Sequence, residues 1–251
     1  MAPFKIKRST GILVLIMLGI FLSGLWYADH YYNGLNTSED PRVKRAKQLY
    51  NQYNQLAEEK KYQEIFELLD SMEIVYDQFD DYKESYEVGV LYNNRAAIFL
   101  NMALFDDYSE QESDSLIFLA QLNLHQGILI YENWMQTFSS LTEKELLDLQ
   151  HSIYDRAFPQ IESSQIEKYA WKRTHELMEA QKENDRRLSV AYTNLGIVYR
   201  HQNQIEEAVY SYQKALELWE ENLTAENNIN ILLGRPLKQR SLLDRLFPPE
   251  K

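Results

Sequence analysis

Side chains that often catalyse reactions or bind metals occur in the chain, but none recurs at a spacing typical of a known site. His175 and Glu176 begin as the zinc motif H-E-x-x-H does, but Glu179 stands where the second histidine belongs. The acidic run 106–114 lacks the D-x-[DN]-x-[DN]-G pattern of a calcium loop, and we interpret it as a solvated loop. Hydrolase, phosphate-loop and dinucleotide motifs are absent from the sequence. We therefore expect no catalytic residue, no cofactor and no metal ion.

Composition narrows the classes of protein further. The 251 residues include 38 acidic and 26 basic side chains, so the formal net charge is −12, which argues against a nucleic-acid ligand. With 45% hydrophobic residues the chain can bury a core, and with only 8 Gly and 6 Pro it favours long helices. The lack of cysteine excludes disulfides, thiolate zinc sites and a thiol nucleophile.

The amino-terminal part has the features of a membrane anchor. Residues 11–27 are uncharged and almost wholly apolar, which is just long enough to span a bilayer. Lys5, Lys7 and Arg8 precede the run, whereas no Lys or Arg follows it before Arg42. The positive-inside rule then predicts a cytoplasmic flank over 1–10, a single transmembrane helix over 11–27 and a polar linker over 28–41. The body would lie outside the cytoplasm, in the periplasm if the source is a Gram-negative bacterium.

A cleaved signal peptide is the competing interpretation of the same segment. Signal peptidase requires small residues at the two positions that define an A-x-A-like site. Before Asp29 those positions hold Trp26 and Ala28, and before Leu25 they hold Leu22 and Gly24. Because Trp26 and Leu22 are too large, we favour an uncleaved anchor.

From residue 42 to 233 apolar residues recur at helical spacing, which predicts an all-α domain followed by a tail over 234–251. Short polar breaks separate the helices and favour antiparallel pairs. The nine predicted helices lie near 49–56, 62–76, 82–102, 115–136, 142–156, 163–185, 187–202, 205–221 and 224–233.

One segment has the spacing of a known repeat. Within 189–222, Tyr192, Leu195, Gly196 and Tyr199 follow W-x₂-L-G-x₂-Y, and Ala208, Tyr212 and Ala215 follow at the spacing of the second helix. The segment resembles a tetratricopeptide repeat (TPR), with Tyr in place of Trp and Phe and with Glu220 in place of the closing Pro. The resemblance implies a TPR-like α-solenoid of stacked, antiparallel helix pairs, in which small Gly196 and Ala208 let two helices approach closely. Asn203 is expected to adopt a left-handed conformation at the turn.

Weaker units surround this one. Residues 92–99 look like a first repeat helix with Ala96 in the small position, and a partner helix would carry Ala120, Leu124 and Gly127 after about twelve inserted residues. Residues 46–79 retain a turn and second helix, 141–186 fit no unit, and 224–232 look like a closing helix.

The resemblance implies a concave groove, lined by the first helix of each pair, that binds a protein partner. Asparagine amides can hydrogen-bond a peptide backbone there. By position the candidate groove residues are Asn93, Asn94, Asn101, Thr193, Asn194, Ile197, Arg200, His201 and Asn228. The expected function is a membrane-anchored scaffold or adaptor, without enzyme activity, for an envelope-associated complex.

Two alternatives of other classes stay open. An enzyme or sensor module could occupy 141–186, because acidic pairs for acid–base chemistry are plentiful in the chain. A self-associating structural protein could use the end of the solenoid near 223–233 and form a homo-oligomer. The amphipathic segment 241–247 would cap the last helix pair or contact a partner.

Overall fold

A computed structural model describes residues 39–239 of the chain, and within that range it contains eight α-helices and no strand. The prediction of an all-α domain is therefore confirmed for these residues, and the arrangement is consistent with a TPR-like solenoid. The helices are α1 Lys44–Glu58, α2 Tyr62–Asp77, α3 Tyr86–Phe105, α4 Glu110–Phe138, α5 Glu143–Ala157, α6 Ser163–His201, α7 Ile205–Leu218 and α8 Leu223–Leu232.

Helices that follow each other in the chain pack as pairs. α1 lies against α2, α3 against α4, and α6 against both α5 and α7, while α8 packs on α7. The pairs stack through α4 and α6, whose side chains share one apolar cluster that includes Leu124, Ile128, Leu188 and Leu195. No single pair could cover both of its own apolar faces, so stacking completes the core.

The long helix α6 corrects one prediction. Two helices were expected near 163–185 and 187–202, but Ser163–His201 forms one continuous helix of 39 residues. The polar stretch at 184–187 contains neither Gly nor Pro, so nothing in it interrupts the backbone hydrogen bonds. Asn184 is fully buried there, and the Arg187 guanidinium lies 4.9 Å from the Tyr86 ring centroid. Asn184 therefore packs inside the solenoid, whereas Arg187 is only partly buried, and α6 belongs to two successive pairs.

The acidic segment corrects a second prediction. Residues 106–114 were interpreted as a loop, but α4 begins at Glu110, so the later acidic residues lie in its first turns. The Ser109 hydroxyl accepts a hydrogen bond from the Glu112 amide, and the Glu112 carboxylate accepts one from the Ser109 amide. This capping box and the favourable position of acidic groups at a helix amino terminus explain why helix formation starts there.

Left-handed residues end three helices. Asn203 has φ 60°, as predicted for the turn after α6, and the Gln204 amide donates to the Tyr199 carbonyl. Lys60 after α1 has φ 54°, and Gly234 after α8 has φ 63°. In both cases the amide of the next residue donates to the carbonyl five residues earlier, as it does after Asn203. This arrangement satisfies carbonyls at the carboxyl ends of helices.

The first described residues are fixed to the helical domain. Asp40 is buried and forms an ion pair with Arg42 at 2.7 Å, and Arg42 also pairs with Asp81 at 2.9 Å. The Tyr154 hydroxyl of α5 donates to the same Asp40 carboxylate at 3.0 Å. Four aromatic rings lie within 5.6 Å of the Arg42 guanidinium, those of Phe79, Tyr82, Tyr154 and Phe158. The span 141–186, which fitted no repeat, thus contributes part of this cluster.

Several predictions fall outside the described residues. The amino-terminal flank 1–10, the transmembrane run 11–27, linker residues 28–38 and tail residues 240–251 with the segment 241–247 are among them. Between residues 39 and 239, no helix combines the length and the apolar character that crossing a membrane requires.

Candidate functional site

A groove of about 640 Å³ lies between α1, α3 and α6. We call it the concave groove. Its floor is formed by Met72 and Tyr76 of α2 and by Tyr131 of α4, all of them buried. Its walls carry polar, charged and aromatic side chains: Glu39, Lys47, Tyr50, Asn51, Tyr86, Glu87, Val90, Leu91, Asn93, Asn94, Glu176, Glu183, Arg186, Arg187 and Val190. Besides the floor residues of α2 and α4, the groove is lined by α1 and α3, the first helices of their pairs, and by the part of α6 that packs next to α5.

A buried network of charges fixes the three wall helices relative to one another. The Arg173 guanidinium of α6 donates to both carboxylate oxygens of Glu87 on α3. Glu176 accepts from Arg173 at 3.3 Å and from the Lys47 ammonium of α1 at 2.5 Å. Arg173 also lies 4.5 Å from the Tyr82 ring centroid. Because each charge has a partner, the network can remain buried beneath the groove.

The charge of Arg173 keeps Glu87 ionised, and burial keeps the tyrosines of the groove floor neutral. Burial by itself raises the pKa of Glu87, but the charge and hydrogen bonds of Arg173 outweigh it, so the pKa lies below its usual range. The stability that this carboxylate contributes is therefore present above pH 4.5, its ordinary pKa, and is lost as the pH falls through the lowered value. Burial raises the pKa of Tyr76 and Tyr131, so both phenols are neutral at physiological pH.

Two candidate asparagines, Asn93 and Asn94, line the groove, and a third, Asn194, contacts Asn93 without lining it. The Asn94 amide donates to the Tyr50 hydroxyl of α1 at 3.3 Å. The Asn194 amide of α6 donates to the Asn93 side-chain oxygen of α3 at 3.4 Å. Both bonds are long, and Asn93, Asn94 and Asn194 are only partly buried, so their amides could exchange these bonds for bonds to a peptide.

The other predicted groove residues do not line this cavity. Thr193 is buried, donates to the Ser189 carbonyl and accepts from the Asn222 amide. Arg200 donates to the Asn228 side chain at 2.9 Å, so these two predicted residues contact each other near the end of the solenoid. Ile197 packs in the core beside α7 and α8, whereas Asn101 and His201 are exposed.

Sequence reasoning missed several groove residues, most clearly Lys47, Tyr50 and the pair Arg186 and Arg187. The repeat pattern could not place Lys47 and Tyr50, because residues 46–79 lack the small residues that set the register. Arg186 falls between the predicted helices 163–185 and 187–202, and Arg187 begins the second of them. The signal that could have found them is the absence of Gly and Pro from 163 to 195, which favours one helix.

The residues predicted for repeat packing lie in the pair formed by α6 and α7. Gly196 faces the Tyr212 ring so closely that a Cβ atom added there would lie 2.5 Å from it. Ala208, Tyr212 and Ala215 are fully buried. Tyr192, Leu195 and Tyr199 are the remaining predicted packing residues, and all three pack in the cluster shared with α3 and α4. Small side chains therefore allow the close approach of these helices. Residues 189–222 match the family model of the tetratricopeptide repeat.

This match covers one repeat and supports the TPR family. TPR units are typically non-enzymatic modules for protein–protein interaction. Comparison with curated proteins and with solved structures gave no match for the chain. Among residues 39–239, no three His, Asp or Glu side chains are grouped so that they could hold a metal ion.

The pair α3 and α4 repeats some contacts of the matched pair. The Tyr92 hydroxyl donates to Glu73 of the preceding helix α2 at 2.6 Å, just as Tyr192 donates to Glu132 of α4 at 2.7 Å. Ala96 packs in one cluster with Ala120 and Leu124, the residues predicted for its partner helix. The intervening residues extend both helices, since α3 continues to Phe105 and α4 begins at Glu110.

Proposed function

We propose that the protein is a membrane-anchored TPR adaptor that binds a polypeptide partner in its concave groove, as part of an envelope-associated complex. The TPR match suggests an interaction scaffold. The observation that carries the finer proposal is the groove of about 640 Å³ between α1, α3 and α6, a size typical of ligand sites.

The chemistry of the groove suits an extended peptide. Asn93 and Asn94 present amide groups that can both donate and accept, which is what a peptide backbone requires. Tyr50 and Tyr86 add aromatic surface for side chains. Arg187 makes no ion pair with any residue between 39 and 239, so its charge is available to an acidic group of the partner.

An anchor over 11–27 would suit such a groove. A groove confined to the membrane surface meets a membrane-associated partner at a raised effective concentration, so a modest intrinsic affinity is sufficient. Asp40 and Arg42 fix the chain directly after the linker to α5 and to the α2–α3 connection.

Photocrosslinking in the producing cells tests the proposal. A photoreactive phenylalanine at Asn51, which is exposed and lines the groove, should form a discrete adduct that remains with the membranes after carbonate extraction. The same group at Gln63, exposed on α2 outside the groove, should not form it.

A matched pair of variants shows whether the adduct depends on groove chemistry. Asn94→Ala with Arg187→Ala should reduce its yield about ten-fold, whereas Asn54→Ala with Arg45→Ala, the same exchange at exposed positions of α1, should not. Equal adduct yields from positions 51 and 63, or equal yields from the two double variants, would contradict partner binding in the groove. Release of the chain from membranes by carbonate would contradict the anchor.

A further inference from the structure

A second cleft, of about 440 Å³, lies between α4, α6 and α7 and shares no lining residue with the concave groove. We call it the tyrosine cleft. α4 contributes His125 and Ile128, and α6 contributes Tyr192, Leu195 and Tyr199. α7 contributes Glu206, Glu207, Tyr210 and Ser211. The cleft includes the second helices α4 and α7, so a ligand there would leave the concave groove free.

Aromatic rings form most of the cleft, and two of them are held in place. The Tyr192 hydroxyl donates to the Glu132 carboxylate at 2.7 Å. The Tyr199 hydroxyl lies 3.4 Å from His125 Nε2, and the two rings meet edge to face with centroids 6.4 Å apart. Tyr210 is 60% exposed. An exposed tyrosine beside two fixed ones offers ring faces to a ligand without first requiring the side chains to be ordered.

The charge of the cleft has one sign. Glu206 and Glu207 form no ion pair with any residue between 39 and 239, and no Lys or Arg lines the cleft. The nearest cation along α7 is Lys214, and its ammonium forms an ion pair with Glu217 at 2.8 Å. The whole of α4, Glu110–Phe138, contains neither Lys nor Arg. Uncompensated carboxylates next to tyrosine faces favour a cation over a neutral or anionic ligand.

We propose that the tyrosine cleft binds an arginine side chain of a basic peptide. A guanidinium is planar and weakly hydrated, so it can stack on a tyrosine ring while it donates to Glu206 or Glu207. Ile128 of α4 and Leu195 of α6 also line the cleft, so they can contact apolar residues beside that arginine. The peptide would thus combine a cation with neighbouring apolar side chains.

Two matched peptides test the proposal on the full chain in a mild detergent. The first is acetylated and amidated Leu-Arg-Leu, and the second replaces arginine by citrulline, which keeps the shape and removes the charge. Ligand-observed saturation-transfer NMR should give at least about ten-fold tighter binding of the arginine peptide. Equal affinities, or no binding of either peptide at millimolar concentration, overturn the proposal.

Variants locate the binding and separate it from the concave groove. Glu206→Gln with Glu207→Gln should weaken arginine-peptide binding about ten-fold, whereas Glu220→Gln with Glu221→Gln removes the same charge at exposed positions and should not. Tyr210→Ala, at a position that is 60% exposed, should also weaken binding.

The groove variant Asn94→Ala with Arg187→Ala should bind the arginine peptide normally, so the two proposals can fail independently. If both glutamate double variants lose affinity for the arginine peptide equally, the peptide is attracted only by the overall acidity of the protein, and the proposed site in the cleft is wrong. An unchanged affinity in Tyr210→Ala would also overturn it.

Discussion

At the residue scale, the glycine of the matched repeat acts through contact with an aromatic ring. Gly196 lies mid-helix, where glycine costs about 1 kcal/mol relative to alanine. The Tyr212 ring, fully buried, occupies the space that a Cβ would need. Gly89 has the same relation to Tyr131, with a contact of 2.8 Å. The propensity cost of each glycine is thus offset by the packing of a tyrosine against the helix backbone.

Gly196→Ala should therefore destabilise the protein in spite of the better helix propensity of alanine. Displacing the buried Tyr212 ring costs about 1–3 kcal/mol, which outweighs the gain in helix propensity from alanine. Gly127→Ala is the control, because its nearest contacts are 3.3 and 3.4 Å, so the neighbouring atoms need to move by only a few tenths of an ångström. Urea unfolding followed by circular dichroism should rank Gly196→Ala clearly below Gly127→Ala, and equal midpoints would contradict this account of the glycine.

At the element scale, the charge network under the concave groove holds α1, α3 and α6 together. Arg173→Met leaves the Glu87 carboxylate buried without its main partner and should cost about 3 kcal/mol. Arg186→Met, which breaks a half-exposed pair with Glu183 on the same helix, should cost less than about 1 kcal/mol.

A double variant separates the cost of an orphaned charge from a loss of packing. Adding Glu87→Gln to Arg173→Met should recover most of the stability, because the unpaired charge is gone. If the double variant is as unstable as Arg173→Met alone in urea unfolding, the network does not act through charge pairing.

Element by element, the sequence predicted most of the helices and the register of the matched repeat. Periodicity identified the pairs, and the spacing around Gly196 and Ala208 placed their contacts. The continuity of α6 was missed because local polarity at 184–187 looks like a break, although tertiary packing buries Asn184. The concave groove was only partly predicted. Lys47 and Glu176 contact each other although 129 residues separate them in the chain, and sequence spacing does not predict such pairs.

At the scale of the whole molecule, the groove and the cleft divide its surface into two chemically different sites. In the concave groove charges of both signs are mostly paired, whereas the tyrosine cleft has carboxylates alone. α6 contributes to both sites, with its residues 176–190 in the groove and 192–199 in the cleft. If both proposals hold, one rigid helix would connect two partners, which is the arrangement an adaptor needs.

Tyrosines form much of the core of the described domain, and this should make the folded state sensitive to alkali. Burial raises the pKa of Tyr212 to about 12, and burial with the Glu73 hydrogen bond raises that of Tyr92 to about 12. Burial also raises the pKa of Tyr82, Tyr131 and Tyr154.

Because the folded state holds these protons more tightly than the unfolded state, whose tyrosines titrate near 10.0, stability is unaffected below that pH and falls as the pH rises toward 12. Urea unfolding between pH 8 and 12 should show this decline. Tyr212→Phe should make this decline less steep. It should also raise the free energy of unfolding by about 1 kcal/mol at pH 7, since the buried Tyr212 hydroxyl has no hydrogen-bond partner among the described residues. A variant that is no more stable at pH 7 and declines as steeply as the parent chain would show that ionisation of this core ring does not limit the fold.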